Sequence, residues 1–342
     1  IIISPGIDIN KCKLSKFLKQ NLKKIYTDLD IFFSFFKNDC ITVTGTNGKS
    51  TTCQLLYEIL LKQKYHVKLV GNIGNPILSC KNIEPRTIFI VEASSYQLEY
   101  SRIFRSKFAI ILNISPDHIE RHKTIKRYVS AKFKLLKHQP KQSLCFVKKN
   151  DTLIKKGLAI TKIKSKIIKV DTNKYDELFH YQKNEYFLTD ANKENLLFVL
   201  AIVKKFRINK KLLIETIQKF KGLKYRQQIV YKDKNLTIIN DSKSTSFSSS
   251  IGILKTNQNI YWLLGGVYKK GDNFKLPRKY YRNIKAFVFG KKKKFFNNQL
   301  KGKINIENFH NLKDAFKKVL ILTKDQRFEK KNYFVQSFCC IF

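Results

Sequence analysis

Methionine is absent from all 342 residues. A chain without an initiator residue that opens on the strand-like run Ile1–Ile3 reads as an internal piece of a longer polypeptide. Acidic side chains are scarce: 25 Asp+Glu face 68 Lys+Arg, a formal net charge of +43. Such an excess is the electrostatic footprint of a nucleic-acid binder. Here, however, the lysines are spread over nearly every segment among abundant Ile, Asn and Phe, with no basic stripe. No specific nucleic-acid partner is therefore expected, only diffuse adhesion to polyanions and a field that favours anionic, phosphorylated substrates. Long apolar runs are also missing. IFFSFF at Ile31–Phe36 falls far short of the roughly 18–20 residues a membrane span needs, and no secretory h-region opens the chain. No transmembrane segment is expected, and the expected compartment is the cytoplasm. The seven cysteines (Cys12, Cys40, Cys53, Cys80, Cys145, Cys339, Cys340) are odd in number and show neither a CxxC pair nor zinc spacing, which leaves them as reduced structural thiols.

What is present is concentrated in Val43–Thr52, VTGTNGKSTT. Cys40–Val43 is a short β-branched run that reads as a buried strand, Gly45 and Gly48 punctuate a tight loop, and Lys49–Lys62 carries helical periodicity. Strand, glycine loop and helix in that order let backbone N–H groups of Gly45, Thr46, Asn47 and Gly48 converge on phosphate oxygens, with the helix N-terminus adding partial positive charge. Lys49 is placed to reach the terminal phosphates, and Ser50 or Thr51 to hold Mg²⁺. The common nucleotide loop has four residues between its glycines. Here only Thr46 and Asn47 separate them, and Val43 stands where the first glycine would be.

Strand signals at Cys40–Val43, Val67–Val70, Ile88–Glu92, Phe108–Asn113 and Leu144–Val147 alternate with helical patterns, which predicts a mainly parallel sheet with ligands at the carboxyl ends of its strands. The chemistry-bearing segments fall there: Gly45–Ser50, Gly71–Gly74 (GNIG), Glu92–Gln97 and Asn113–His118. Helices are predicted over Asn192–Phe206 and Lys210–Lys221, with Gly222 as a stop. Strands at Gln228–Tyr231, Leu236–Asn240, Ile260–Leu264 and Ile284–Phe289, with a helix at Leu312–Leu320, then suggest a second, smaller α/β domain from Leu223. The run Lys291–Lys294 reads as a solvated loop. The fold class is thus α/β: a central P-loop ATPase-like domain followed by a smaller Rossmann-like one.

Four further segments complete a pattern: VEASSYQLE (Val91–Glu99), LNISPDHIERH (Leu112–His122), YVSAK (Tyr128–Lys132) and NDSKSTS (Asn240–Ser246). Together with the phosphate loop they make the chain similar, over nearly its whole length, to the Mur ligases of peptidoglycan synthesis, most of all to their D-glutamate-adding branch. The resemblance implies ATP-dependent amide synthesis through an acyl phosphate, with UDP-N-acetylmuramoyl-L-alanine and D-glutamate as partners, in an enzyme expected to be monomeric. It also implies two Mg²⁺ ions, because two anions must be brought together. By motif match Lys49 and Ser50 serve the phosphates and the first metal, Glu92 is a metal ligand aided by Ser94, and His118 and Lys132 serve the second. An amine is a poor partner for a hard cation. The family resolves this by carbamylation of the lysine, implied here for Lys132. Asn72 matches the residue that contacts the muramoyl substrate; Asn192 and Asn195 match the adenine-side N-x-x-N motif. Arg226 and Asp241 match the ATP contacts of the last domain. Lys243, Thr245 and Lys269 match the residues that receive amino-acid carboxylates. Glu120, Arg121 and His122 are expected to be supporting neighbours.

The resemblance divides the chain into 1–10, the remnant of an N-terminal UDP-binding domain marked by ISPGI at Ile3–Ile7; 11–222, the ATP-binding domain; and 223–342, the last domain, short at its end. Ala191 replaces the family's His before the N-x-x-N motif, Tyr225 replaces His before Arg226, and Gln336–Phe342 preserve only a shadow of the tail that holds D-glutamate. Weak or no turnover is expected of this piece. The alternatives are another Mur-type ligase, a folylpolyglutamate synthase, or a degenerate nucleotide-binding fragment without catalysis.

Overall fold

Runs of buried β-branched and aromatic residues build two mainly parallel sheets, described by a computed structural model over residues 1–173, 183–268, 272–325 and 332–337. The described residues fall into two units, one of 1–184 with 192–220 and the other of 185–191 with 221–342.

The first unit opens with two short helices, α1 (Ser15–Gln20) and α2 (Asp28–Phe35). A reciprocal capping box between Thr27 and Asp30 starts α2, which takes in most of the IFFSFF run. The order then is β1 (Cys40–Thr44), α3 (Lys49–Lys62), β2 (Val67–Gly71), β3 (Ile88–Glu92), α4 (Ser95–Tyr100), β4 (Phe108–Ile111), α5 (Ile119–His122), α6 (Ile125–Lys137), β5 (Leu144–Lys148), α7 (Thr152–Ile160), β6 (Lys166–Val170), α8 (Asp190–Val203) and α9 (Lys210–Lys219). The strands form one six-stranded parallel sheet in the order β2-β3-β1-β4-β5-β6. Strands β1, β3 and β4 are buried along their whole length, as central strands covered on both faces must be. Both helices predicted in the 190–221 region are present, although α8 starts two residues earlier than the periodicity suggested and stops at Val203.

The second unit contains β7 (Gln228–Lys232), β8 (Leu236–Asp241), α10 (Phe247–Thr256), β9 (Ile260–Gly265), β10 (Ile284–Phe289), α11 (Lys293–Leu300), β11 (Asn305–Phe309), α12 (Leu312–Asp325) and β12 (Asn332–Ser337). Its sheet runs β11-β10-β9-β12-β8-β7, parallel except for β7, which pairs antiparallel with β8 and carries a register shift between Ile229 and Tyr231. Trp262, Phe247, Phe274 and Phe296 anchor its core. Lys293 and Lys294 lie inside α11, so the lysine run is not wholly a loop; Lys291, Lys292 and Lys294 are solvent-exposed as expected. Lys269, Cys339 and Cys340 lie outside the described residues.

Candidate active site

The carboxyl ends of β1, β3 and β4 converge on the glycine loop. Gly48 is the N-cap of α3 with φ +85°, a left-handed conformation that glycine adopts at no steric cost. A Cβ there would lie 2.0 Å from Oδ1 of Asn195, so the loop and α8 touch where no side chain fits. Having no side chain, Gly48 leaves the first turn of α3 without a side-chain cap, the arrangement that suits an anion.

Not every loop amide faces outward. Thr46 N–H donates to the Asn113 carbonyl (2.9 Å) and Asn47 N–H to Asn113 Oδ1 (2.9 Å), so of the loop amides named from the sequence these two are turned toward the end of β4. Thr46 Oγ1 is held by the N–H of Ser115 (3.0 Å) and pairs with the Tyr128 hydroxyl (3.0 Å).

Two lysines meet at one oxygen. Lys49 Nζ donates to the carbonyls of Gly45 (3.0 Å) and Thr46 (2.9 Å), and Lys132 Nζ donates to the same Gly45 carbonyl at 2.7 Å. Lys132 is 1% exposed, on the inner face of α6. Burial first, then the nearby Lys49 charge, hold its ammonium well below the usual lysine range, against the opposing pull of Asp117 and Glu92. Tyr128, one helical turn earlier, places its ring 4.7 Å beneath that nitrogen. The (i, i+4) spacing of Tyr128 and Lys132 in YVSAK is the sequence signal for this contact.

Glu92, at the end of β3 and 1% exposed, accepts from Asn72 Nδ2 through Oε1 (2.8 Å), while its buried Oε2 has no hydrogen-bond partner. An unpartnered buried carboxylate oxygen beside the phosphate loop suits a cation. Asn72 is fixed by its own N–H to the Glu92 carbonyl (3.0 Å). Its neighbour Gly71 has φ +102°, with space closed to any Cβ by that carbonyl at 2.4 Å.

His118 sits in the left-handed region at φ +54°, with Nδ1 paired to the Tyr96 hydroxyl (2.9 Å) and Nε2 3.4 Å from Asp117 Oδ2. Arg121 lies over the Tyr96 ring and donates to Glu99 (3.3 Å). Buried His122 bonds Ser95 Oγ, and burial pushes its pKa down to about 4. The Ser94 hydroxyl caps α4, accepting from Gln97 N–H (3.2 Å). Ser50 and Thr51 are buried in the first turn of α3, and Asn192 and Asn195 are buried on α8.

In the second unit Asp241 ends β8 and is 1% exposed; Oδ1 accepts from Gln227 N–H (3.1 Å) and buried Oδ2 has no partner. Burial raises its pKa to about 7, against the lowering effects of Ser244, the Gln227 amide and Arg226. Lys243 is exposed, its nitrogen 5.9 Å from the Tyr225 ring, and Thr245 is half-buried in the loop before α10. Among the described residues no three His, Cys, Asp or Glu side chains form a ready metal cluster.

A parallel sheet with a glycine loop, a buried lysine beneath it and a carboxylate beside it defines a nucleotide-dependent ligase class, and residues 43–212 match the Mur ligase middle domain. The chain is 31% identical over 334 residues to the UDP-N-acetylmuramoylalanine–D-glutamate ligase of Rickettsia felis, covering 92% of this chain and 74% of the relative. It is 35% identical over 315 residues to the enzyme of the same name from Buchnera aphidicola subsp. Schizaphis graminum, covering 85% and 69%. The MurF ligase of Thermotoga maritima, solved in complex with ADP, superposes with a TM-score of 0.68 at 14% identity over 94% of this chain and 87% of that one, which supports the fold. The chain belongs to the Mur ligase family, on the D-glutamate-ligase branch.

Proposed function

We propose that the chain joins the carboxylate of UDP-N-acetylmuramoyl-L-alanine to the amine of D-glutamate, cleaving ATP to ADP and phosphate. The carboxylate takes the γ-phosphoryl to give an acyl phosphate, which the amine displaces. The observation that carries this is the buried Lys132 amine on the Gly45 carbonyl, next to Lys49 and the unpartnered oxygen of Glu92. Lys49 and the first turn of α3 would bind the terminal phosphates, Asn72 the muramoyl substrate, Asn192, Asn195, Arg226 and Asp241 the rest of the nucleotide, and Lys243, Thr245 and Lys269 the carboxylates of the amino acid. Ser50 and Glu92 would hold one Mg²⁺ ion and His118 with carbamylated Lys132 another; when bound, such ions screen carboxylate from triphosphate and stabilise the transferring phosphoryl. Lys132 is suited to carbamylation because the depressed proton affinity leaves its lone pair free to attack CO₂, with loss of a proton, giving an oxygen-bearing anion. The division 1–10, 11–222 and 223–342, a cytoplasmic location and a monomeric state belong to the same proposal.

The test is transfer of labelled D-glutamate onto UDP-N-acetylmuramoyl-L-alanine with MgATP, alongside Lys132→Met. Label incorporation, low in this chain for the reasons its sequence gives, should match phosphate release and require both substrates. Lys132→Met should lose at least about 100-fold in rate, as expected when a charge on the phosphoryl-transfer path is removed, with an unchanged or higher melting temperature because it replaces a buried amine by an apolar chain. Phosphate release indifferent to D-glutamate, or full activity in Lys132→Met, would overturn the proposal.

A further inference from the structure

The carboxamide of Asn113 brackets the backbone of one residue of the phosphate loop, Asn47, bonding one group in each of its two flanking peptides. Oδ1 accepts the Asn47 N–H (2.9 Å) and Nδ2 donates to the Asn47 carbonyl (3.2 Å). The same Nδ2 donates to Glu194 Oε1 (3.2 Å), and Glu194 is ion-paired with Lys148. Glu194 lies on α8 between Asn192 and Asn195, and Asn195 abuts Gly48. The Asn113 backbone carbonyl adds a bond to Thr46 N–H. Residues 46–48 are therefore fastened to the segment after β4 and to α8 by contacts about 66 to 147 residues away in sequence.

We infer that Asn113 is a positioning residue for phosphate recognition: through the Asn47 peptide it fixes the loop so that Gly48, Lys49 and the first turn of α3 are presented to the phosphates, with Glu194 and Lys148 as its support. This rests on the nucleotide-site reading above. The clamp touches loop backbone and not the nucleotide base, so its loss weakens ligands in proportion to their phosphates. An amide that donates and accepts at once is required. Aspartate has the same size but would set a carboxylate oxygen against the Asn47 carbonyl and Glu194, both acceptors.

The experiment measures binding of adenosine, MgADP and the MgATP analogue AMPPCP to the intact protein and to Asn113→Ala and Asn113→Asp, with melting temperatures as the fold control. Loss of two to three hydrogen bonds predicts MgADP and AMPPCP weakened by about 10- to 100-fold in both variants, while adenosine loses only about two- to threefold, because Asn113 reaches the Asn192–Asn195 segment through the single bond to Glu194. Asn113→Asp binding MgADP like the parent would show that only size matters and would overturn the inference. So would an equal loss for adenosine and AMPPCP, the mark of general disruption. If the parent itself bound no nucleotide, the reading of the site would fail first, and the clamp with it.

Discussion

Gly48→Ala tests the loop most directly, because two separate costs can be worked out for it. The first is conformational: at φ +85° an alanine carries the left-handed penalty of about 1–2 kcal/mol. The second is steric, since the new Cβ would fall 2.0 Å from Asn195 Oδ1 and 2.8 Å from its Cγ, distances no contact tolerates. Asn195 is 3% exposed, so its amide has little room to yield, and relieving the overlap costs about 1–3 kcal/mol. Together the expected loss is about 2–5 kcal/mol, a large share of the roughly 5–15 kcal/mol that holds a domain. The assay is hydrogen–deuterium exchange under increasing urea, read on peptides of β1 and α3. The single tryptophan, Trp262, lies in β9 and reports the other unit. Adding Asn195→Ala removes the clash but not the dihedral cost, so the double variant should recover roughly 1–3 kcal/mol relative to additivity. A Gly48→Ala protein within about 0.5 kcal/mol of the parent, or a double variant that recovers nothing, would refute the reasoning.

Two other outcomes follow from buried carboxylates. Asp30 accepts from the N–H groups of Thr27, Arg102, Ile103 and Phe104 and from Ser101 Oγ. Asp30→Ala should therefore cost about 3–5 kcal/mol in urea denaturation, with exchange rising first at 101–104; unchanged exchange there would count against it. The folded-state pKa of Asp241, about 7, lies above its unfolded value. The folded state then holds an extra proton between about pH 4 and 7, and stability falls as pH rises through that window. Asp241→Asn should gain on the parent across that window and not below it, and parallel denaturation profiles would contradict the sign.

The central strands were legible because parallel strands covered on both faces must be continuous apolar runs, and Ile88–Glu92 and Ile284–Phe289 match the structure residue for residue. Strands β6, β11 and β12 and helix α2 carry weaker sequence signals. Strand β6 (KIIKV) and strand β11 (NIENF) are edge strands, and edges carry lysine and polar residues that blur the strand signal. Strand β12 is an inner strand between β9 and β8, and its run NYFVQS opens and closes on polar residues that weaken the strand pattern. The capping-box pair Thr27 and Asp30 would have announced α2. The site divides similarly. Asn113, Tyr96 and Tyr128 stand inside the motifs, but their partners Asn47, His118 and Thr46 lie 22 to 82 residues away, so their contacts are not readable from the local sequence.

Lys132 shows where composition stops being informative. In a chain with 68 Lys+Arg, almost any lysine is best explained by a solvated surface, and composition gives no reason to exempt one on an amphipathic helix; the surrounding motif alone exempts Lys132. Among the described residues, however, Lys132 is the only fully buried lysine. Burying a cation beside a second cation is unfavourable for stability whatever the surroundings, so compositional drift cannot place it there. A basic drift fills the surface and leaves the interior under the ordinary rules of burial. The excess of positive charge therefore sharpens the case for this residue: the more freely lysine accumulates outside, the less its presence inside can be accidental, and the more its position at the Gly45 carbonyl calls for a chemical reason.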